Sequence, residues 1–295
     1  MTQHLNRRRF LHLSGLAAIA TGCQTDLSDA QSQSKERYPL SLHPYSLRSL
    51  WQSGEVTLET YPEFVRKNLQ FDNIEYDVGD CQSLYDSPAK AAKIHQLAAE
   101  QGIKIQTVLC GASPALDADS KSERQKAVEG HLRWAEVAHG LGAKALRIRA
   151  STEGGYSDRL EKAADSISNL CDRIQDSGVT PCVENIGGQS RNPQWLVQLV
   201  SQVGPDRIKL IADFGNFNDD YYGGVKTMLP FCHALCTKSW DFDANGNETK
   251  IDFERMMRIV KRSSFRGCIA IEYLGTTTPH VEGILKTAAL IKRYS

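Results

Sequence analysis

From Tyr38 onward, short apolar runs alternate with longer stretches whose apolar residues recur at helical spacing. The short runs read as strands: Leu40–Tyr45, Asn73–Tyr76, Lys104–Val108, Ala145–Arg149, Thr180–Glu184, Ile208–Asp213, Ala234–Lys238 and Cys268–Tyr273. Between them, Leu58–Asn68, Pro88–Gln101, Lys121–Leu141, Arg159–Ser177, Pro193–Val203, Asp252–Arg262 and Val281–Arg293 read as helices, with a weaker signal at Gly224–Pro230. Gly102, Gly142 and Gly178 follow three of these helices, where a left-handed residue ends the last turn. This alternation is the signature of a parallel sheet built from βα units. About eight units in about 250 residues predict a closed (β/α)8 barrel, a TIM barrel, as a single domain. A doubly wound open sheet would carry a glycine-rich turn after its first strand. The stretch His43-Pro44-Tyr45-Ser46 is not one.

The residues before Tyr38 do not follow this pattern. Arg7-Arg8-Arg9-Phe10-Leu11 fits a twin-arginine export motif, and a short apolar stretch from Leu13 to Thr21 follows it. That stretch is too short to span a bilayer as a permanent helix. It ends at Ala20-Thr21-Gly22-Cys23, which resembles a lipobox and makes Cys23 the candidate lipidation site. The expected organisation is therefore a signal over 1–22, a polar tether over 23–37 and the barrel over 38–295. It implies the twin-arginine translocase as a transient partner. The destination is the periplasmic side, with membrane attachment through the lipid anchor only.

Basic and acidic residues balance at 35 each, so nothing builds the basic surface that nucleic acid would require. Three of the eight cysteines, Cys182, Cys236 and Cys268, sit inside apolar strand-like runs, where a thiol behaves as a small buried hydrophobe. Few disulfides are expected.

Candidate chemistry gathers where strands end. Glu184, Asp213 and Glu272 close three predicted strands about one βα unit apart and converge on one mouth if the barrel forms. Burying such carboxylates without partners is costly, which favours a site; the alternatives are pairing with a barrel arginine for Glu184 and Glu272, and capping of the following helix or turn for Asp213. Lys238 lies two residues beyond Cys236, hence on the same face and nearer the mouth. It either stabilises a developing oxyanion or neutralises the carboxylates. Cys236 either ligates a metal as a thiolate or fills a small volume. His233, three residues earlier, points to the other face. Arg149 and His43 are candidate substrate contacts, with an internal salt bridge and ordinary packing as their respective alternatives. Trp240, just after the seventh strand, is placed to stack on a sugar ring. Glu75 reads as a hydrogen-bonded barrel carboxylate, and Asp241–Glu248 as a mobile rim loop.

Glu184-Asn185, Asp213-x-x-Asn216, Cys236-x-Lys238 and Ile271-Glu272, after strands five to eight, resemble the xylose isomerase-like TIM barrels. That group holds sugar isomerases, sugar epimerases and related apurinic endonucleases, and the likeness runs from about Tyr38 to the C-terminus. The resemblance implies a divalent metal (Mn, Mg, Co or Zn) held by Glu, Asp, His and Glu. Glu184, Asp213 and Glu272 match the carboxylates, Cys236 stands at the histidine position of the usual His-x-Lys with Lys238 retained, and Asn216 replaces a further histidine. It also implies a carbohydrate isomerase or epimerase in which Glu184 and Glu272 move an α-proton, Lys238 stabilises the oxyanion and Asn185 contacts substrate. A lyase or hydratase acting on keto-sugars, and a non-catalytic sugar-binding lipoprotein, are the competing readings. Endonuclease activity is disfavoured, because that branch uses more histidine ligands and a basic DNA-facing surface.

Overall fold

The computed structural model describes residues 38–87, 89–111 and 115–295. The predicted signal, tether and lipidation site at Cys23 lie outside the described residues. β1 (Leu40–Leu42) leads through a 3-10 turn (Pro44–Leu47) into α1 (Arg48–Ser53) and α2 (Tyr61–Leu69). β2 (Asn73–Asp77) is followed by α3 (Gln82–Asp86) and α4 (Ala89–Glu100), and β3 (Lys104–Leu109) by α5 (Lys121–Gly140). Then come β4 (Ala145–Ile148), α6 (Tyr156–Ile174), β5 (Thr180–Glu184) and α7 (Pro193–Val203). β6 (Lys209–Asp213), α8 (Tyr221–Met228), β7 (Cys232–Ser239), α9 (Phe253–Arg262), β8 (Cys268–Tyr273) and α10 (His280–Tyr294) complete the chain. The strands form a closed parallel barrel in chain order, with β8 pairing back on β1. The fold is the expected TIM barrel.

Local chemistry explains the elements. Ser120 accepts a hydrogen bond from the Glu123 N–H and caps α5, and Asn192 and Asp252 cap α7 and α9 in the same way. Gly102, Gly142 and Gly178 adopt φ of 65°, 72° and 71°, as their place after helices requires. On α6, buried Leu160, Ala163, Ile167, Leu170 and Ile174 form the stripe that packs onto the barrel.

Inside the barrel a small cluster of Ala145, Cys182, Ile211, Ala234 and Cys236 fills the axis. Two register shifts set what faces inward. One places Glu75 opposite Thr107. The other skips His233, so that Ala234 pairs with Ile211 and Cys236 with Asp213. β7 and β8 then run in register to the rim, setting Lys238 opposite Glu272.

Two segments depart from expectation. β1 stops at Leu42, because His43 Nδ1 accepts the Tyr45 N–H and Pro44 opens a helical turn with its φ already set. The loop Asp241–Glu248 is tied down: Asp243 Oδ1 accepts from the Asn245 and Asn247 amides, and Glu248 accepts from those of Trp240, Lys250 and Ile251.

Candidate active site

The C-terminal ends of the strands open into a cavity of about 500 Å³. Its floor carries Glu184, Lys238 and Glu272, its walls include Arg147, Arg149 and Asp77, and His43, Arg48 and Trp51 close the β1 side. Lys238 Nζ donates to Asp213 Oδ2 at 3.0 Å and Asn216 Oδ1 at 2.6 Å, and lies 3.3 Å from Glu272 Oε2. Cys236 Sγ donates to that same Glu272 oxygen at 3.6 Å. Across the floor, Arg147 Nη1 donates to Glu184 Oε2 at 2.5 Å, and Asn216 Nδ2 donates to Glu184 Oε1 at 3.3 Å. Arg147 also lies 3.6 Å from Asp77. Gly215 makes part of this arrangement accessible: a Cβ there would meet Trp240 at 2.8 Å and the Lys238 stem at 3.1 Å.

Burial would raise the Glu184 carboxyl, but the Arg147 and Lys238 charges together hold it below its ordinary value. Asp213 is pushed up to about 7 by burial and by the neighbouring Glu272 and Glu184 charges, against the pull of Lys238. Burial disfavours the Lys238 ammonium, yet Asp213 and Glu272 outweigh it and raise its pKa, so it stays charged. Burial, then Arg147, lowers His43 to about 4. His43 is therefore neutral, and since Nδ1 accepts from Tyr45, its proton resides on Nε2. Cys236 is pushed well above the usual thiol range by burial and by Asp213 and Glu272.

A family model described as the xylose isomerase-like TIM barrel matches residues 66–294, most of the chain. The protein belongs to the xylose isomerase-like TIM barrel family. No curated protein matches the sequence. Among solved structures, a D-psicose 3-epimerase from Clostridium cellulolyticum H10 is similar, with a TM-score of 0.69, 15% identity and coverage of 87% of this chain and 98% of that one. So is a 3-keto-D-glucoside 4-epimerase from E. coli, with a TM-score of 0.65, 12% identity and coverage of 79% and 94%. The IolI protein with a bound zinc atom gives a TM-score of 0.69, 15% identity and coverage of 87% and 99%. At these identities the likeness is one of fold.

Within this family member, the structure brings Glu184, Asp213, Cys236, Lys238 and Glu272 together, and His43 and Arg149 line the same cavity. Arg149 is exposed and makes no hydrogen bond or ion pair among the described residues. Two expected substrate contacts are corrected. Asn185 is fully buried and spends its amide on the β6 backbone, donating to Asp213 O at 2.9 Å and accepting from Asp213 N at 2.7 Å. Trp240 does not line the cavity, and the Lys250 ammonium sits 4.2 Å from its ring centroid. Three contributors were missed. Asp77 lies two residues beyond Glu75 on β2, so alternation alone could have found it. Arg48 and Gln52 sit on α1, for which His43-Pro44 and Gly54 (φ 76°) were the available signals.

Ligand atoms of Glu184, Asp213 and Cys236 lie within 4.8 Å of one another, a span that one metal ion could bridge. Glu272, expected as a further ligand, is outside that group and pairs with Lys238 instead. Each carboxylate already faces a basic side chain. Asp213 and Cys236 do not reach the cavity surface, whereas Lys238 does. As arranged, the donor set does not fit a divalent ion that touches substrate.

Proposed function

We propose that this protein is an isomerase or epimerase acting on a sugar or sugar derivative, with Glu184 and Glu272 moving an α-proton and Lys238 stabilising the oxyanion. The observation that carries this reading is that both glutamates and the ammonium face one sugar-sized cavity. The fold shared with proteins named as sugar epimerases is consistent with it.

An α-proton is removable only if the negative charge moving onto the carbonyl oxygen is stabilised. The Lys238 ammonium and the His43 Nε2–H supply that stabilisation from the floor and wall. Arg147 keeps Glu184 ionised and weakens it as a base. Glu272 Oε1 has no partner among the described residues, so Glu272 is the better placed acceptor. Return of the proton to the neighbouring carbon on the same face isomerises the sugar. Protonation on the opposite face, by a proton that Glu184 relays from solvent while Glu272 releases its own to solvent, epimerises it. Arg149, unpaired at the wall, contacts a substrate hydroxyl or carboxylate.

The test is α-proton exchange in D₂O over a panel of keto- and aldo-sugars, followed by NMR. Exchange that disappears in both Glu184→Gln and Glu272→Gln supports the reading. Exchange coupled to release of an unsaturated product moves the assignment to a lyase. No exchange on any sugar, with binding retained, leaves a sugar-binding protein.

A further inference from the structure

We propose that Lys238 is the resident cation of this site, standing in for a divalent ion, and that the protein works without metal. The proposal concerns the same residues as the proposed function. Its readout is metal occupancy, so either can fail while the other stands.

Lys238 Nζ donates to Asp213 at 3.0 Å and to Asn216 at 2.6 Å, and is ion-paired with Glu272 at 3.3 Å. These include two of the three strand-end carboxylates. The third, Glu184, is held by Arg147 at 2.5 Å. No strand-end carboxylate is left without a cation.

The lysine is part of the pattern that the resemblance implies; what differs here is the two residues packed around it, Cys236 and Asn216. Cys236 is the in-register partner of Asp213 and lies one inward step below Lys238. Its thiol is much shorter than an imidazole, so it leaves the space above it to the ammonium. It donates to Glu272 from below, on the oxygen that Lys238 approaches. Asn216 offers both ends of one planar amide, its oxygen to Lys238 and its nitrogen to Glu184. That amide ties the ammonium to the carboxylate on the far side of the floor.

Access points the same way. Asp213 is fully buried and Cys236 nearly so, and neither lines the cavity. An ion bridging Glu184, Asp213 and Cys236 would have to pass a tethered positive charge and then remain beside it. Like charges at such separations repel strongly where water is scarce. The ammonium also lies at the surface that substrate meets, which is where an electrophile must be to act on a substrate oxygen.

The decisive experiment measures metal content of the purified protein, then calorimetric titration with MnCl₂ and with ZnCl₂ after dialysis against EDTA. The wild type should carry under about 0.1 equivalent of divalent metal and show no saturable binding below roughly millimolar concentration. Lys238→Met should bind at least about tenfold more tightly, because the competing charge is gone and Asp213 is left to be neutralised. If that variant does not fold, Lys238→Gln keeps hydrogen-bonding capacity without the charge and answers the same question. One-to-one binding by the wild type at micromolar concentration would overturn the proposal. So would neutral variants that bind no better than wild type.

Discussion

Glu75 sits inside the barrel, 3% exposed, two residues before Asp77 and opposite Thr107. Burial pushes its carboxyl from 4.5 to about 8; Thr107 and Arg147 oppose the shift, and Glu184 and Glu272 add to it. Between those two values the folded protein holds a proton that the unfolded chain has released. Stability therefore falls as pH rises through this window and levels off above it. At about pH 7.5 the unfolded carboxyl is three units past its pKa, and at ~1.36 kcal/mol per unit the penalty is about 4 kcal/mol. Glutamine has the shape of the neutral acid and no proton to lose. Glu75→Gln should thus be more stable than wild type by a margin that grows with pH. The margin should change little below about pH 4.5 and gain roughly 1.4 kcal/mol per unit up to about pH 8. Urea unfolding of both proteins near pH 5, 6.5 and 8, with equal m-values, measures this directly. A gap that is constant across those conditions, or that shrinks as pH rises, would refute a neutral buried Glu75. A pH-independent offset superimposed on a growing gap would reflect only the amide's different hydrogen bonding.

Arg149→Ala should leave stability within about 0.5 kcal/mol, because the side chain is exposed and unpaired. It should raise KM about tenfold with kcat little changed, read by steady-state kinetics on whichever sugar shows exchange. Asn185→Ala removes both bonds to the Asp213 backbone and should cost about 2 kcal/mol in chemical denaturation. Asn185→Asp should cost more, since a carboxylate cannot donate to the Asp213 carbonyl and adds a charge beside it.

Much of this molecule could be read along the chain. The apolar runs, the helical spacing and the glycines after helices pointed to the barrel, because each reports a local preference that packing did not overrule. Glu184 and Glu272 were legible as mouth residues because they close parallel strands, and all such ends point one way, whereas Asp213, read in the same manner, lies beneath the cavity surface. Cys236 and Lys238 were correctly put on one face by simple alternation. What each of these groups meets was not legible. That Lys238 stands opposite Glu272 depends on the shift that skips His233 and on β7 pairing in register with β8. That Arg147 takes Glu184 depends on β4 lying beside β5; pairing with a barrel arginine was an open alternative for Glu184, but which arginine arrives was not legible. Asn185 looked like a site residue by its neighbour, but its amide faces the β6 backbone and is used up there. The β1-side wall was missed because a 3-10 turn and a six-residue helix are too short to show a period. Period along one strand determines which side a residue faces. Its partner belongs to another strand, and only closure of the barrel decides which one arrives.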